Sequence, residues 1–409
     1  MRSATEGDRP SAPAMAAEGV VGAETEPAPA DHRRPSAALR ALAPGEPLPG
    51  WCDRHLPPAR LDALGGRAWY TATLSAGLPE GAEPLLALGA GNTVLMPLMR
   101  RDGRMHSLTT PYSLGWRPLV ASGANPAVAL REAGRDLGRA LRGQPPAVLD
   151  CLAPEERDFG AFLRGLRSAG LVPLRFGHFG NWHEPVVPED GWEGYLSGRP
   201  SALQSTIRRR TPRCLRRMRF ESVYAPGDRL EAAIGAYEAV RARSWKPHEP
   251  SPRFDATLMR AMAAEGTLRL GVLRLRENDT PVAAQYWAVS GRRAVVLKLA
   301  HDEAEREHSP GTVLTAMMMA DILDGDGGVS EVDFGRGDDP YKRLWAGQRR
   351  RRIGLIIADP LHPSGLAAIA RQAAGQALRL GRQWWAARSP GTGGGKGRAG
   401  KAGEERSAA

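Results

Sequence analysis

The sequence predicts an α+β (mixed α/β) protein with largely antiparallel sheets, built as two units. Three observations predict it. "LRLGVLRL" (268–275), "PVAAQYWAV" (281–289) and "RAVVLKLA" (293–300) are consecutive apolar runs joined by turns too short for the crossover that parallel strands need. "PLLALGAGNTVLMPLMRR" (84–101) holds two more runs, joined by Gly89-Ala90-Gly91-Asn92, a hairpin signal. In both halves strand-like runs then alternate with helical segments, so each unit is expected to be one layer of sheet covered by helices.

The elements follow in order. Residues 1–45 open rich in Ala, Pro and Glu without a continuous apolar segment, and are expected to be a disordered leader rather than a signal peptide. The N-terminal unit, 46–188, reads as a helix over Leu61–Leu78, the hairpin, a helix near 125–142, the strand "AVLDCL" (147–152), a helix at 155–169 and a strand at 171–178. The C-terminal unit, 189–360, opens with a helix start and a basic helix over 190–217, parted by Gly198 and Pro200. A strand at 219–224 follows, then helices near 228–244 and 253–264, then the three strands. A helix at 311–324, the strand "VSEVDFG" (329–335), a short helix at 340–346 and the strand "RRIGLIIA" (351–358) complete it. Residues 361–389 place Leu366, Ile369, Ala373, Ala377, Leu380 and Trp384 at helical steps. This helix is expected to dock on its own core, with at most weak affinity for an anionic membrane despite Arg371, Arg379, Arg382 and Arg388. Residues 390–409 read as a disordered basic tail.

Composition bounds the function. No stretch approaches the roughly 18 apolar residues of a membrane span. Cys52, Cys151 and Cys214 are too scattered for a disulfide framework or a zinc site, which points to a reducing cytoplasm and no metal. The net charge of +11 comes partly from the tail, partly from Arg349–Arg352 and partly from 199–219, which holds eight arginines and no acid. Such a cluster is either a solvated face or a surface for nucleic acid, anionic lipid or a phosphorylated small molecule. There is no GxxxxGK[ST] loop, HExxH or GxSxG. Gly335-Arg336-Gly337 lacks the third glycine of a dinucleotide fingerprint.

Two stretches carry chemistry. "HSPGTVL" (308–314) sets Ser309 and Pro310 at a helix start, leaving the N–H groups of Gly311, Thr312 and Val313 either simply capped or available to an anion such as a pyrophosphate. "DFGRGDDPYKRLW" (333–345) ends a strand in three acids. A helix N-terminus accounts for Asp338, Asp339 and Pro340. It does not account for Lys342 between Tyr341 and Trp345, which is either salt-bridged to Asp338 or Asp339 or placed for chemistry. Gln285, inside an apolar strand, needs a partner or a ligand. Lys298 and His301 close the strand before the Ser309 turn.

The segments "RARSWK" (241–246), "PVAAQYW" (281–287), "LKLAHDEAEREHSPGTVL" (297–314) and "VDFGRGDDPYKRLW" (332–345) together resemble the GNAT superfamily acetyltransferase domain of CelD-like proteins, related to Fem-type aminoacyltransferases. The resemblance implies two GNAT-like units, the first degenerate, and an N-acyltransferase using acetyl-CoA or another acyl-CoA. It implies that the donor pyrophosphate rests on Ser309, Gly311, Thr312 and Val313. Lys342 would stabilise the oxyanion, with Asp333, Asp338 or Asp339 taking the amine proton. Trp245, Lys246, Gln285, Lys298, His301, Tyr341 and Trp345 would line the substrate side. The implied acceptor is a small molecule or glycan precursor bearing an amine. Two alternatives remain: a Fem-type transferase using aminoacyl-tRNA, and a non-catalytic module binding an anionic ligand.

Overall fold

Thirteen strands of the described residues join in a single sheet, in which β5 pairs β3 beside the main path. The computed structural model describes residues 37–43, 45–245, 248–325 and 328–388, with side chains to residue 380. The leader to residue 36, the tail from 390, and Lys246 lie outside them. The N-terminal unit supplies β1 (Ala38–Ala41), α1 (Arg67–Ala72), β2 (Glu83–Gly89), β3 (Val94–Arg101), β4 (Arg104–Ser107), β5 (Leu119–Val120), α2 (Pro126–Ala140), β6 (Ala147–Leu152), α3 (Phe159–Ser168) and β7 (Val172–Pro185). The C-terminal unit supplies α4 (Gly191–Ser197), α5 (Ser201–Arg217), β8 (Met218–Val223), α6 (Asp228–Ala242), α7 (Phe254–Ala264), β9 (Leu268–Leu275), β10 (Pro281–Ser290), β11 (Arg293–His301), α8 (Pro310–Gly325), β12 (Glu331–Arg336), α9 (Lys342–Trp345), β13 (Gln348–Ala358) and α10 (Pro363–Arg388).

The strand order, β1-β2-β3-β4-β6-β13-β7-β12-β11-β10-β9-β8, reads alike from both ends. Four antiparallel strands are followed by a parallel neighbour, β6 beside β4 in one unit and β12 beside β11 in the other. The units then exchange their last strands. β13 pairs β6 of the N-terminal unit, β7 pairs β12 of the C-terminal unit, and β7 and β13 pair with each other from Val172–Ala358 to His183–Gln348. The likeness extends to single residues. Between Leu149 and Leu152 three residues of β6 span the register of two on β13, and between Asp333 and Arg336 three of β12 span two on β7. Each bulge holds one left-handed residue, Cys151 (φ 61°) and Gly335 (φ 67°).

Burial follows the expected patterning. Apolar residues of β2 and β3 share a core with those of β9 and β10 and with α1, α6 and α7, so strands near opposite ends of the order face a common interior. The sheet therefore folds back on itself. α4, α5 and α8 cover the other face of the C-terminal unit, and α2 and α3 that of the N-terminal unit. The β2–β3 turn is the expected one, with Ala90, Gly91 and Asn92 all left-handed.

Three details differ from the expectation. Residues 38–41, expected within the leader, form β1 against β2. The helix expected over 61–78 is confined to α1 and a π-turn over Thr73–Gly77, because Pro57, Pro58, Gly65 and Gly66 break its start. The two sheets are one. The C-terminal helix docks through its first turns, where Ala368 is buried and Gln372 donates to the Arg175 carbonyl at 2.9 Å, while Leu378 and Leu380 stand exposed. No described helix is long and apolar enough to cross a membrane.

Candidate active site

The parallel pair β11–β12 is joined only from Arg293–Val295 to Glu331–Asp333, and beyond Val295 the strands part. Gly335 sits at the parting. A Cβ there would lie 2.9 Å from the Val296 carbonyl oxygen, and the positive φ disfavours side chains independently. On the other side of β11 a bulge sets Lys298 opposite Tyr286 and Val296 opposite Trp287, leaving Leu297 as the extra residue. The extra residue resets the alternation and turns Lys298 toward α7.

There Lys298 meets a buried polar cluster. Its Nζ lies 2.9 Å from Asp255 Oδ2 and 2.9 Å from Glu249 Oε2. Asp255, 2% exposed, also accepts the hydroxyls of Tyr237 (2.8 Å) and Tyr286 (2.7 Å), so its charge is fully hydrogen-bonded as burial demands. Tyr112, from the segment after β4, donates to Glu249 and places its ring 3.9 Å from Lys298 Nζ. Its ring also stacks on Phe254 at 4.8 Å. Asp255, Glu249, Tyr112, Tyr237 and Tyr286 were not singled out from sequence. The partial signal was Lys298 itself, an ammonium in an apolar strand that requires a buried counter-charge.

The opposite face of the β11 end carries His301. Its ring lies against the Trp245 ring (4.6 Å between centroids) and so near Gly311 that a Cβ there would be 2.9 Å from His301 Cδ2. Its Nδ1 has no hydrogen-bond partner among the described residues, and the Glu303 carboxylate is 3.8 Å away. Ser309 turns the chain into α8 through a left-handed conformation (φ 55°), and its carbonyl accepts from Val313 N at 3.1 Å. Arg210 of α5 donates to the Glu307 carbonyl, and Arg217 of α5 contacts His308, so basic side chains flank the start of α8. Gln285 has a protein partner: Thr315 Oγ1 lies 3.2 Å from its Oε1 and 2.9 Å from the Gly311 carbonyl. That contact ties β10 to α8.

At the β12 end the acids separate by role. Asp333 is buried. Its Oδ1 accepts from Asn181 Nδ2 (2.5 Å) and Gly335 N (2.8 Å), and its Oδ2 pairs with Arg350. Both oxygens are thus committed to joining β7, β12 and β13. Asp338 takes both arms of Arg349 at 2.6 and 2.7 Å, and that pairing holds its carboxyl below the usual range. Lys342 is buried. Its Nζ donates to the Arg336 carbonyl at 2.6 Å and to that of Gly337 at 3.4 Å, and lies 3.2 Å from Asp339 Oδ2. The ammonium is held at the strand end by its own loop, with Gly337 presenting no side chain between them. Trp345 is buried, and its carbonyl accepts from Tyr195 and Arg199; Tyr341 is exposed.

Residues 201–343 match the profile of the family described as acetyltransferase (GNAT) domain. This segment is a GNAT domain. The match takes in α5 through the first residues of α9, and so contains the parting strands, the start of α8 and the Lys298 cluster; β7 and β13, which flank the middle of the sheet, lie outside it. Among solved structures, FemX is 12% identical, covering 73% of this chain and 92% of that one at a TM-score of 0.49. L-PGS from Bacillus licheniformis is 10% identical over 71% and 88%, at 0.44. A tandem GNAT protein from the clavulanic acid biosynthesis pathway is 13% identical over 79% and 98%, at 0.43. No curated protein matches the chain.

Proposed function

We propose that the GNAT domain transfers an acyl group from an acyl-CoA to an amine at the parting ends of β11 and β12. The observation that supports this most is the two-sided arrangement around β11: an amide-bearing helix start with basic neighbours on one face, and a buried acid–lysine–tyrosine cluster on the other. The donor's pyrophosphate would lie on the N–H groups of Gly311 and Thr312. The thioester would enter the gap beside Gly335, and the acceptor would approach the end of β11 on the face that carries His301 and Trp245. The amine nitrogen forms a bond to the thioester carbon, its proton passes to a base, and the C–S bond breaks to release CoA. His301 is the group placed to take that proton, because Asp333 is committed to Arg350 and Asp339 to Lys342. Lys342, fixed at the strand end by two carbonyls, would become the oxyanion or acceptor-anion contact by giving up Asp339, the most exposed of its partners.

Calorimetry with acetyl-CoA, longer acyl-CoAs and free CoA tests the donor, and thiol release with a panel of amines tests the transfer. Saturable CoA binding that is lost on Thr312→Glu, which adds negative charge to the helix start, is the expected result; no binding of any CoA species by the full chain overturns the reading. Gly311 is unsuitable for that test, since any side chain there meets His301.

A second reading, an aminoacyl-tRNA donor, is favoured by the exposed guanidinium groups of Arg208, Arg209, Arg213 and Arg216 on the helix whose Arg210 reaches the α8 turn. Tight tRNA binding that weakens steeply with salt, without CoA binding, would select it.

A further inference from the structure

The exchanged-strand symmetry gives the N-terminal unit a counterpart of the donor cleft. α2 starts at Pro126 after Asn125, as α8 starts at Pro310 after Ser309, and β6 carries the same bulge as β12. The ladder between β4 and β6 has a single register pair, His106–Val148. A cavity of about 390 Å³ lies between the start of α2, the end of β6 and the start of α3. It differs from the cleft of the GNAT domain in one decisive respect. Asn125 Oδ1 already accepts from Val128 N (3.3 Å), the counterpart of Thr312 N in α8, so this helix start has one amide fewer to offer a pyrophosphate.

What the cavity offers instead is an apolar interior and a rim of both signs. Trp116, Leu119, Leu152 and Phe162 line the inside and are buried, while Leu130 of α2 is only partly covered. Along the rim run Arg117, Glu156, Arg157 and Asp158. Arg117 is already oriented, 2.9 Å from Asp62 and 3.8 Å from Glu156. Two guanidinium groups beside two carboxylates would leave one sign unsatisfied by a simple cation or a simple anion. They complement a ligand carrying both charges close together. The volume is at the small end of ligand pockets, which span about 300–1,000 Å³.

We propose that this cavity binds a small zwitterion with an apolar body, an aromatic or branched α-amino acid, whose carboxylate meets Arg117 and Arg157 and whose ammonium meets Glu156 and Asp158. The ligand sits in the N-terminal unit, so the proposal stands apart from acyl transfer in the GNAT domain.

The test uses the full chain with L-phenylalanine, 3-phenylpropionate, which lacks the ammonium, and phenethylamine, which lacks the carboxylate, measured by saturation-transfer NMR and calorimetry. L-phenylalanine is expected to bind at least about ten-fold more tightly than either analogue, a difference of about 1.4 kcal/mol. Leu130→Trp should fill the cavity and abolish binding while the melting temperature and any CoA binding persist. Glu156→Gln, a surface change that keeps the fold, should weaken phenethylamine and L-phenylalanine but not 3-phenylpropionate, and decides the matter should Leu130→Trp fail to fold. Absence of saturable L-phenylalanine binding, equal affinity for the three probes, or undiminished binding by folded Leu130→Trp overturns the proposal.

Discussion

Lys342 and Asp333 stand close in sequence, both are buried, and each is tied to different partners. Asp333 is locked to Arg350 within the sheet, so Asp333→Ala should cost about 2–4 kcal/mol, because Arg350 keeps Glu331 but loses its second carboxylate while the Asn181 amide and the Gly335 N–H lose an acceptor. Chemical denaturation measures it, and a loss below about 1 kcal/mol would free Asp333 for a catalytic role. Lys342→Ala is expected to behave differently. Its carbonyl partners and half-exposed Asp339 can recover water, so stability should fall by about 1–3 kcal/mol, whereas turnover should fall about 10²–10³-fold. Folded Lys342→Ala with normal turnover would confine the residue to holding its loop. Sequence brought Lys298, His301, Ser309 and Gly311 to one end of the molecule because they share one strand–turn–helix. It could not show that Asp333 is neutralised by Arg350 or that Glu249 and Tyr112 converge on Lys298, since those partners come from remote segments and no local period encodes them.

At the level of elements, apolar runs and turn chemistry made β2, β3 and β9 to β11 legible, and the Ser309-Pro310 cap made the start of α8 legible. β4 and β5 are too short to carry a period, and β1 is hidden beside a Pro-rich stretch. Two elements yield predictions. Gly335→Ala should destabilise by about 1–2 kcal/mol from its left-handed backbone, before the clash with the Val296 carbonyl is added; equilibrium urea unfolding reads this, and an unchanged midpoint would mean the strands part without needing glycine. The start of α10 is pinned by Asp359. Burial pushes that carboxyl up, but hydrogen bonds from the Gly143 and Leu361 amides and the nearby Arg142 outweigh it, leaving it below the ordinary carboxylate range. A lowered folded value means the contribution is present above the unfolded value near 3.9 and is lost as pH falls through the folded one. Thermal melts from pH 7 to pH 2 should therefore show a smaller acid-side loss for Asp359→Asn than for the parent chain. Equal losses would remove Asp359 from the acid response.

For the molecule as a whole, the continuous sheet and the shared core predict one cooperative transition. Unfolding followed by tryptophan fluorescence and by far-ultraviolet dichroism should give coincident curves, and a chain ending at residue 190 should fail to fold, since β6 would lack β13. Separate transitions would show that the units are independent. That the chain is duplicated was legible from the repeated order of elements. That the halves trade strands was not, because β7 and β13 are each plausible partners for their own unit.

The trade has a consequence in time. The strand that fills the middle of the sheet is made well after both of its neighbours. β6 ends at residue 152 and β13 begins at 348, a gap that takes about 10–40 s to synthesise at ordinary ribosomal rates. Throughout that interval the edge of β6 is bare, and β7, which follows α3 as a crossover and runs parallel to β6, is the strand nearest to hand. A nascent parallel β6–β7 pair would have to be prised apart to admit β13 between them, so the order of synthesis sets a task that the finished sheet no longer shows.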